Sequence, residues 1–142
     1  MNKMPGKERG ASDTIAELRA KEKSKPIASF LRMELRELSP GYARVVMKLT
    51  PEYQNFNSMV FGGIIMALAD QAFAYGSNSM AFPSLASQFN IHFIAGAGID
   101  DELTAECRVV RSGKRAGISE MTVTNQEGKL IAKATGTTIP VS

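Results

Sequence analysis

The sequence has no tryptophan, a single cysteine and a single histidine. Each shortage closes a class of chemistry. Cys107 alone cannot form an internal disulfide, and the N-terminus MNKMPGKERG is charged with no apolar core of a signal peptide; together these point to a reducing, cytoplasmic setting. With His92 alone, metal sites built from several imidazoles are excluded, and no metal or cofactor is expected. A Ser-His-Asp triad would have to use His92, and no G-x-S-x-G occurs. Walker loops and G-x-G-x-x-G are missing too. No apolar run reaches the roughly 18 to 20 residues needed to cross a bilayer, so no membrane span is expected. The chemistry must rest on carboxylate, amide, hydroxyl and backbone groups.

The 142 residues are 44% apolar and 22% charged, the balance of one soluble domain of ordinary size. The net charge of +3 is unevenly spread: residues 1–25 hold seven Lys/Arg against four Asp/Glu, and the remainder holds ten against ten. A neutral body with a basic leader argues against nucleic-acid binding, which wants a basic face on the folded domain.

The pattern divides into a flexible basic leader with a short helix over residues 1–25 and one domain over residues 26–142. Thr14 and Glu17 have capping-box spacing and predict a helix running to about Lys23. Pro26 ends it, and Ile27 to Leu31 has room for one more turn. Phe30 to Leu38 and Tyr42 to Leu49 alternate as strands around Ser39-Pro40-Gly41. After the apolar run Ile64 to Tyr75 come strands over Leu85–Ile94, Leu103–Val109, Ala116–Thr124 and Leu130–Ile139. In the last of these, Leu130, Ala132 and Ala134 are expected on one face. The class is α+β, a curved antiparallel sheet wrapped around one central helix.

The stretch Asn55 to Ser79 carries the candidate chemistry. Gly62-Gly63 opens the helix, where free backbone N–H groups and the positive end of the dipole can polarise a carbonyl. Asp70 is the one acid in the apolar run. Eight helical residues separate Gly62 from Asp70, a rise of about 12 Å, so one carbonyl cannot touch both in one chain. Two antiparallel helices across a two-fold axis would bring Gly62 of one subunit to Asp70 of the other. The plainer alternatives are a backbone turn at Gly-Gly, a locally satisfied Asp70, and loop roles for Asn55 and Asn57.

These residues resemble the hotdog-fold acyl-CoA thioesterases, in the phenylacetic-acid-degradation branch of the 4-hydroxybenzoyl-CoA thioesterase superfamily. The family pattern of Asn, a short loop, His-Gly-Gly, a helix and Leu-Ala-Asp is read here as Asn55, Phe61-Gly62-Gly63 and Leu68-Ala69-Asp70. The likeness continues through Ser87-Gln88-Phe89-Asn90 and Val109-Val110-Arg111-Ser112-Gly113-Lys114-Arg115, and covers most of residues 26–139. It implies a hotdog fold, a homodimer or homotetramer, and hydrolysis of an aryl- or fatty-acyl-CoA. By the same resemblance Asp70 is the nucleophile or general base, Gly62 N–H polarises the thioester from the partner chain, and Asn55 positions the water or the acid. Phe61 and Gly63 flank the substrate, the family's polar strand residue falls near Ser87, and Arg111, Lys114 and Arg115 are candidates for the CoA phosphates.

The departure is Phe61, where this branch has His. It keeps open a competing reading, a hotdog module that holds acyl-CoA without turnover. A hotdog dehydratase needs a His in the site, and the helix supplies none. His92 and Cys107 read as structural residues of their strands.

Overall fold

The structure is a computed structural model that describes residues 10–22, 24 and 26–141. The first nine residues of the expected leader lie outside the described residues. Helix α1 spans Ala11–Glu22 and begins three residues before the expected cap. The carbonyl of Gly10 accepts the N–H groups of Asp13 and Thr14 at 3.1 and 3.2 Å. The Thr14 hydroxyl lies 3.5 Å from the same carbonyl, so Thr14 closes the first turn from inside and the Thr14–Glu17 capping box does not form. Glu17 instead pairs with Lys21 one turn on, at 3.8 Å.

The short helix α2, Pro26–Phe30, follows, and Arg32 reverses the chain with a φ of 55°. Strand β1, Met33–Ser39, therefore starts later than the alternation around Phe30 suggests. It forms a hairpin with β2, Tyr42–Lys48, through Gly41 at a φ of 78°, a backbone conformation that favours glycine. Helix α3 runs from Gly62 to Asn78, and four strands complete the chain: β3 Ser84–Phe93, β4 Glu102–Ser112, β5 Gly117–Thr124 and β6 Leu130–Pro140. All six strands pair antiparallel in one sheet, in the order β1-β2-β4-β5-β6-β3. Strands β1 and β3 are its two edges. No described helix is long and apolar enough to cross a membrane.

One expected face is corrected. Thr124 pairs with Leu130 and Val123 with Ala132, which leaves Ile131 as an extra residue in β6. The bulge sends Leu130 out to solvent and buries Ile131 beside Ala132 and Ala134.

Helix α3 lies in the curve of the sheet. Ile65, Leu68, Ala69, Ala72, Phe73 and Gly76 recur at helical spacing and are buried, as a stripe facing a core must be. Val45, Met47, Leu103, Ala105, Met121 and Val123 meet them from the middle strands. The close approach depends on two glycines. A Cβ on Gly76 would stand 2.6 Å from the Cys107 sulfur, and one on Gly136 would stand 2.5 Å from the Phe73 ring. Phe73 thus rests directly on the backbone of β6, fully buried, with its ring centroid 5.9 Å from that of Phe89. Cys107 is core, as expected; burial pushes its thiol up to about 11.

Gly136→Ala is expected to destabilise the fold by about 1–3 kcal/mol, the cost of overpacking a site that cannot relax. In a Phe73→Leu background the same substitution should cost markedly less, because the colliding ring is gone. Chemical denaturation of the four proteins in this cycle measures the coupling, and additive costs would disprove the contact.

Candidate active site

The helix α3 starts without a side-chain cap. Phe61 precedes it in extended backbone, and its carbonyl accepts the Ile64 N–H at 2.9 Å. The Phe61 N–H donates to the Tyr53 carbonyl at 2.8 Å, which fastens the preceding loop to the helix. The Phe61 ring folds back along the first turn: a Cβ on Gly63 would sit 2.5 Å from it. Gly62 faces the other way, toward the end of β3, where a Cβ would stand 3.2 Å from the tip of the Phe93 ring. A cavity of about 280 Å³ opens beside Gly62, walled by Met59, Val60, Ile65, Phe93 and the segment 94–97. Gly62 itself is part of the wall, at a helix start that has no side-chain cap.

Asp70 opens onto a different cavity, of about 220 Å³, between the C-terminal half of α3 and the start of β3. Phe73, Ala74, Asn78, Leu85, Ala86 and Thr138 are among its walls. In the single chain the Asp70 carboxylate is accessible on one side and crowded by protein on the other. That partial burial raises it above the usual carboxylate range, with no neighbouring cation to offset it. Among the described residues it has no hydrogen-bond or ion-pair partner. The two cavities share no residue, which agrees with the separation expected from the helical spacing.

Asn55 shapes the loop in front of Gly62. Its side-chain carbonyl accepts the N–H groups of Asn57 and Met59 at 2.9 and 3.2 Å, and its backbone N–H donates to Met59 at 2.7 Å. A bridge between Gln54 and Val60 closes this small hairpin, and Ser58 turns its tip with a φ of 58°. The loop thus uses the oxygen of Asn55 and leaves its NH₂ donors for another partner. Ser87 occupies a bulge between Ala86 and Gln88, with its hydroxyl donated to the Thr137 carbonyl at 3.3 Å. It is one residue past the wall of the Asp70 cavity. Arg111, Lys114 and Arg115 are exposed on the β4–β5 turn, which the Gly113 N–H closes on the Ala116 carbonyl at 2.9 Å. That turn lies on the Asp70 side: Ser77, Ser84 and Thr138 line both the Asp70 cavity and the small void behind Gly113. His92 is on the opposite face of the sheet from α3, paired with Lys133.

Sequence reasoning missed Asn78. It stands two turns beyond Asp70, and its amide is used in both directions. The Oδ1 atom accepts the Ser84 N–H at 2.7 Å, while Nδ2 donates to the Ala74 carbonyl at 2.8 Å. This ties the first residue of β3 to the end of α3 and so fixes the width of the Asp70 cavity. An asparagine eight residues after the acid, near a helix end, was the available signal. Phe93 was missed as well, although alternation along β3 places Phe89, Ile91 and Phe93 on the face toward α3.

The likeness to known proteins agrees with this geometry. The profile of the Thioesterase superfamily matches residues 57–132, which hold both Gly62 and Asp70. A putative esterase of Archaeoglobus fulgidus is 36% identical over 120 residues, spanning 84% of this chain and 78% of that protein. The acyl-coenzyme A thioesterase PaaI of Escherichia coli is 33% identical over 105 residues, 74% of this chain and 75% of its own. The solved structure of E. coli PaaI, from the phenylacetic acid degradation operon, superposes with a TM-score of 0.88 over 94% of this chain and 97% of that one, at 28% identity. A Streptococcus mutans protein solved bound to acetyl CoA superposes with a TM-score of 0.74 at 26% identity, covering 78% and 89% of the two chains. The hotdog sheet, the glycine-opened helix inside it and these matches lead to one assignment: the chain belongs to the thioesterase superfamily.

Proposed function

We propose that this chain is an acyl-CoA thioesterase whose site is completed by two copies across β3, with Asp70 as the essential acid. The observation that carries the shared site is the contrast between the two sheet edges. At β1 the edge is guarded: the Glu22 carboxylate of α1 accepts the Leu35 N–H at 2.8 Å. At β3 the outer edge is unpaired and flanked by exposed Leu85, Phe93 and Ile94. An unpaired ten-residue edge with exposed apolar side chains at both ends calls for a partner strand.

The Gly62 cavity lies at the Phe93 end of β3 and the Asp70 cavity at the Leu85 end. A second copy pairing antiparallel through β3 sets the Phe93 end of one strand beside the Leu85 end of the other. Gly62 of each subunit then faces Asp70 of its partner, and each dimer carries two equivalent sites.

In such a site the thioester carbonyl oxygen accepts from the Gly62 N–H, and charge building on that oxygen is held by the first turn of α3. Two routes use the same placement. As a base, Asp70 removes a proton from a water that attacks the carbonyl carbon; the C–S bond breaks, and the CoA sulfur leaves and is protonated. As a nucleophile, Asp70 attacks that carbon itself, expels the thiolate and forms an anhydride that water then opens. In a single turnover in ¹⁸O water the base route never labels Asp70, so label found in Asp70 establishes an anhydride opened by water at the Asp70 carbonyl. The free NH₂ of Asn55 serves to hold the water or the carboxylate. Arg111, Lys114 and Arg115 suit the CoA phosphates. The acyl group is aryl or fatty. The competing module that binds acyl-CoA without turnover draws on Phe61, which leaves no polar side chain beside Gly62.

Asp70→Asn is expected to lower kcat by about 10²- to 10⁴-fold, the usual contribution of a positioned acid–base group, measured by thiol release from acyl-CoA. Equal rates in wild type and variant would remove Asp70 from the mechanism. Gly62→Pro deletes the N–H at a position where proline starts helices well, at the cost of a 3.2 Å approach of its Cβ to the Phe93 ring tip, and should also be inactive. Mixing the two dead variants should restore about a quarter of wild-type activity: half the dimers are mixed, and each of those has one intact site. A site contained within one chain would give no recovery.

The raised Asp70 carboxyl also sets a sign for stability. In the folded chain its charged form is disfavoured, so the folded state holds that proton more tightly than the unfolded one. Its contribution is therefore most favourable at acid pH and is lost as pH rises through the raised value. Asp70→Asn should accordingly be more stable than wild type at neutral pH, with the difference fading as pH falls into the carboxylate range. Thermal melts across pH 4 to 8 check this, and a less stable Asn variant at pH 7 would contradict it.

A further inference from the structure

We infer that the cavity beside Gly62 is the acyl-chain site, built for an unbranched aliphatic chain of roughly eight to ten carbons, with the CoA portion on the partner's Asp70 side. This rests on the acyl-CoA hydrolase reading above. The nine residues that line the Gly62 cavity are all apolar or glycine. Five of the nine around Asp70 are polar: Asp70, Ser77, Asn78, Ser84 and Thr138. A hydrocarbon chain is favoured in the first and would strip water from the Asp70 carboxylate in the second. Position agrees with composition. Gly62 stands on the rim of the apolar cavity, so a chain attached to the carbonyl it holds continues directly into that space. The basic turn Arg111–Arg115 borders the other cavity through Ser77, Ser84 and Thr138.

Volume guides the length. At about 30 Å³ per heavy atom, the share of a water molecule in the liquid, the 280 Å³ of this open cavity has room for roughly nine atoms. The space exists because the segment after β3 is Ala95-Gly96-Ala97. At Gly96 the only atom near a new Cβ is the Met59 Cε at 3.9 Å, an ordinary contact, and its backbone is not left-handed. A side chain there enters the cavity without strain. The small residues of this segment set the chain length, and Phe93 and Met59 form the sides.

The experiment is thiol release by the full chain over straight-chain acyl-CoAs from C2 to C16, with phenylacetyl-CoA alongside, for wild type, Gly96→Leu and Ala74→Leu. Ala74 lines the Asp70 cavity and serves as the counter-test. Wild type should peak near C8 to C10 and discriminate against phenylacetyl-CoA. Gly96→Leu should lower the ratio of kcat/KM for decanoyl-CoA over butyryl-CoA by at least about tenfold, the usual cost of a displaced methylene, and move the optimum to shorter chains. A ratio that falls in Ala74→Leu and holds in Gly96→Leu would put the chain in the Asp70 cavity and overturn the inference. So would an unshifted profile with a changed oligomer mass by light scattering, which would mean that the partner's own residues fill the Gly62 cavity. Release of thiol from no acyl-CoA at all would instead sink the hydrolase reading on which this one rests.

Discussion

How close α3 can come to the sheet decides most of what this molecule does. The distance is set where side chains are missing: Gly76 on the helix admits the Cys107 sulfur, and Gly136 on β6 admits the Phe73 ring. With Phe73 seated on bare backbone, the buried stripe of α3 is fixed in rotation. Its opposite side, with Gly63, Met66, Asp70 and Ala74, is then left uncovered. A helix so placed has one apolar face satisfied by its own sheet and one line, Gly63, Met66, Asp70 and Ala74, left exposed in the single chain. The position of the acid follows from core packing and not from any local feature of Asp70.

The treatment of the two sheet edges extends the same reasoning outward. Strand β1 is closed by α1, with Glu22 occupying a backbone donor that would otherwise be free to pair. Strand β3 has no such guard, and most of its residues are exposed in the single chain. Blocking one edge while leaving the other open restricts sheet extension to a single direction, and a two-fold through β3 terminates it after one addition. The two cavities at opposite ends of that strand fit the proposed site shared between two copies. Asn78 contributes at this level: by clamping Ser84 to the end of α3 it fixes where β3 begins, and hence where the Leu85 end meets its counterpart.

Much of this was legible in the residues. The element order, the α+β class, the central helix and the burial of Cys107 follow from periodicity, because alternation and helical spacing are imposed by one dominant core. The separation of Gly62 and Asp70 into different cavities follows from helix geometry alone. What escaped were features decided by interactions distant in sequence. Thr14 has the spacing of a cap, yet Gly10 supplies a carbonyl one turn earlier and the helix extends to use it. Ile131 breaks the alternation of β6 because a bulge against β5 is cheaper there than exposing it, and no residue nearby announces this. Ser87 sits in another bulge, so a strand register counted from Leu85 is off by one beyond it. Asn78 was passed over because its bond to Ser84 exists only once β3 returns. The Phe61 departure was visible, but its consequence depended on seeing the ring lie over Gly63.

That ring connects the two halves of the chemistry. The backbone duties of Phe61, accepting from Ile64 and donating to Tyr53, would be met by any residue there. What its side chain adds is an apolar cover on the first turn, opposite the apolar wall that Phe93 provides at Gly62. A hydrogen bond to a developing oxyanion gains strength as its surroundings become drier. Dryness has the opposite effect on a carboxylate, and it is partial burial that holds Asp70 above its usual range. A carboxylate whose charged form is disfavoured binds a proton more strongly, which on the proposed mechanism makes Asp70 a stronger base. On the proposed mechanism, partial shielding from water at each end of α3 favours both the Gly62 donor and the Asp70 base. A polar side chain at position 61 would draw water toward Gly62, which is a physical reason for phenylalanine to stand where the pattern of the resembled family has histidine.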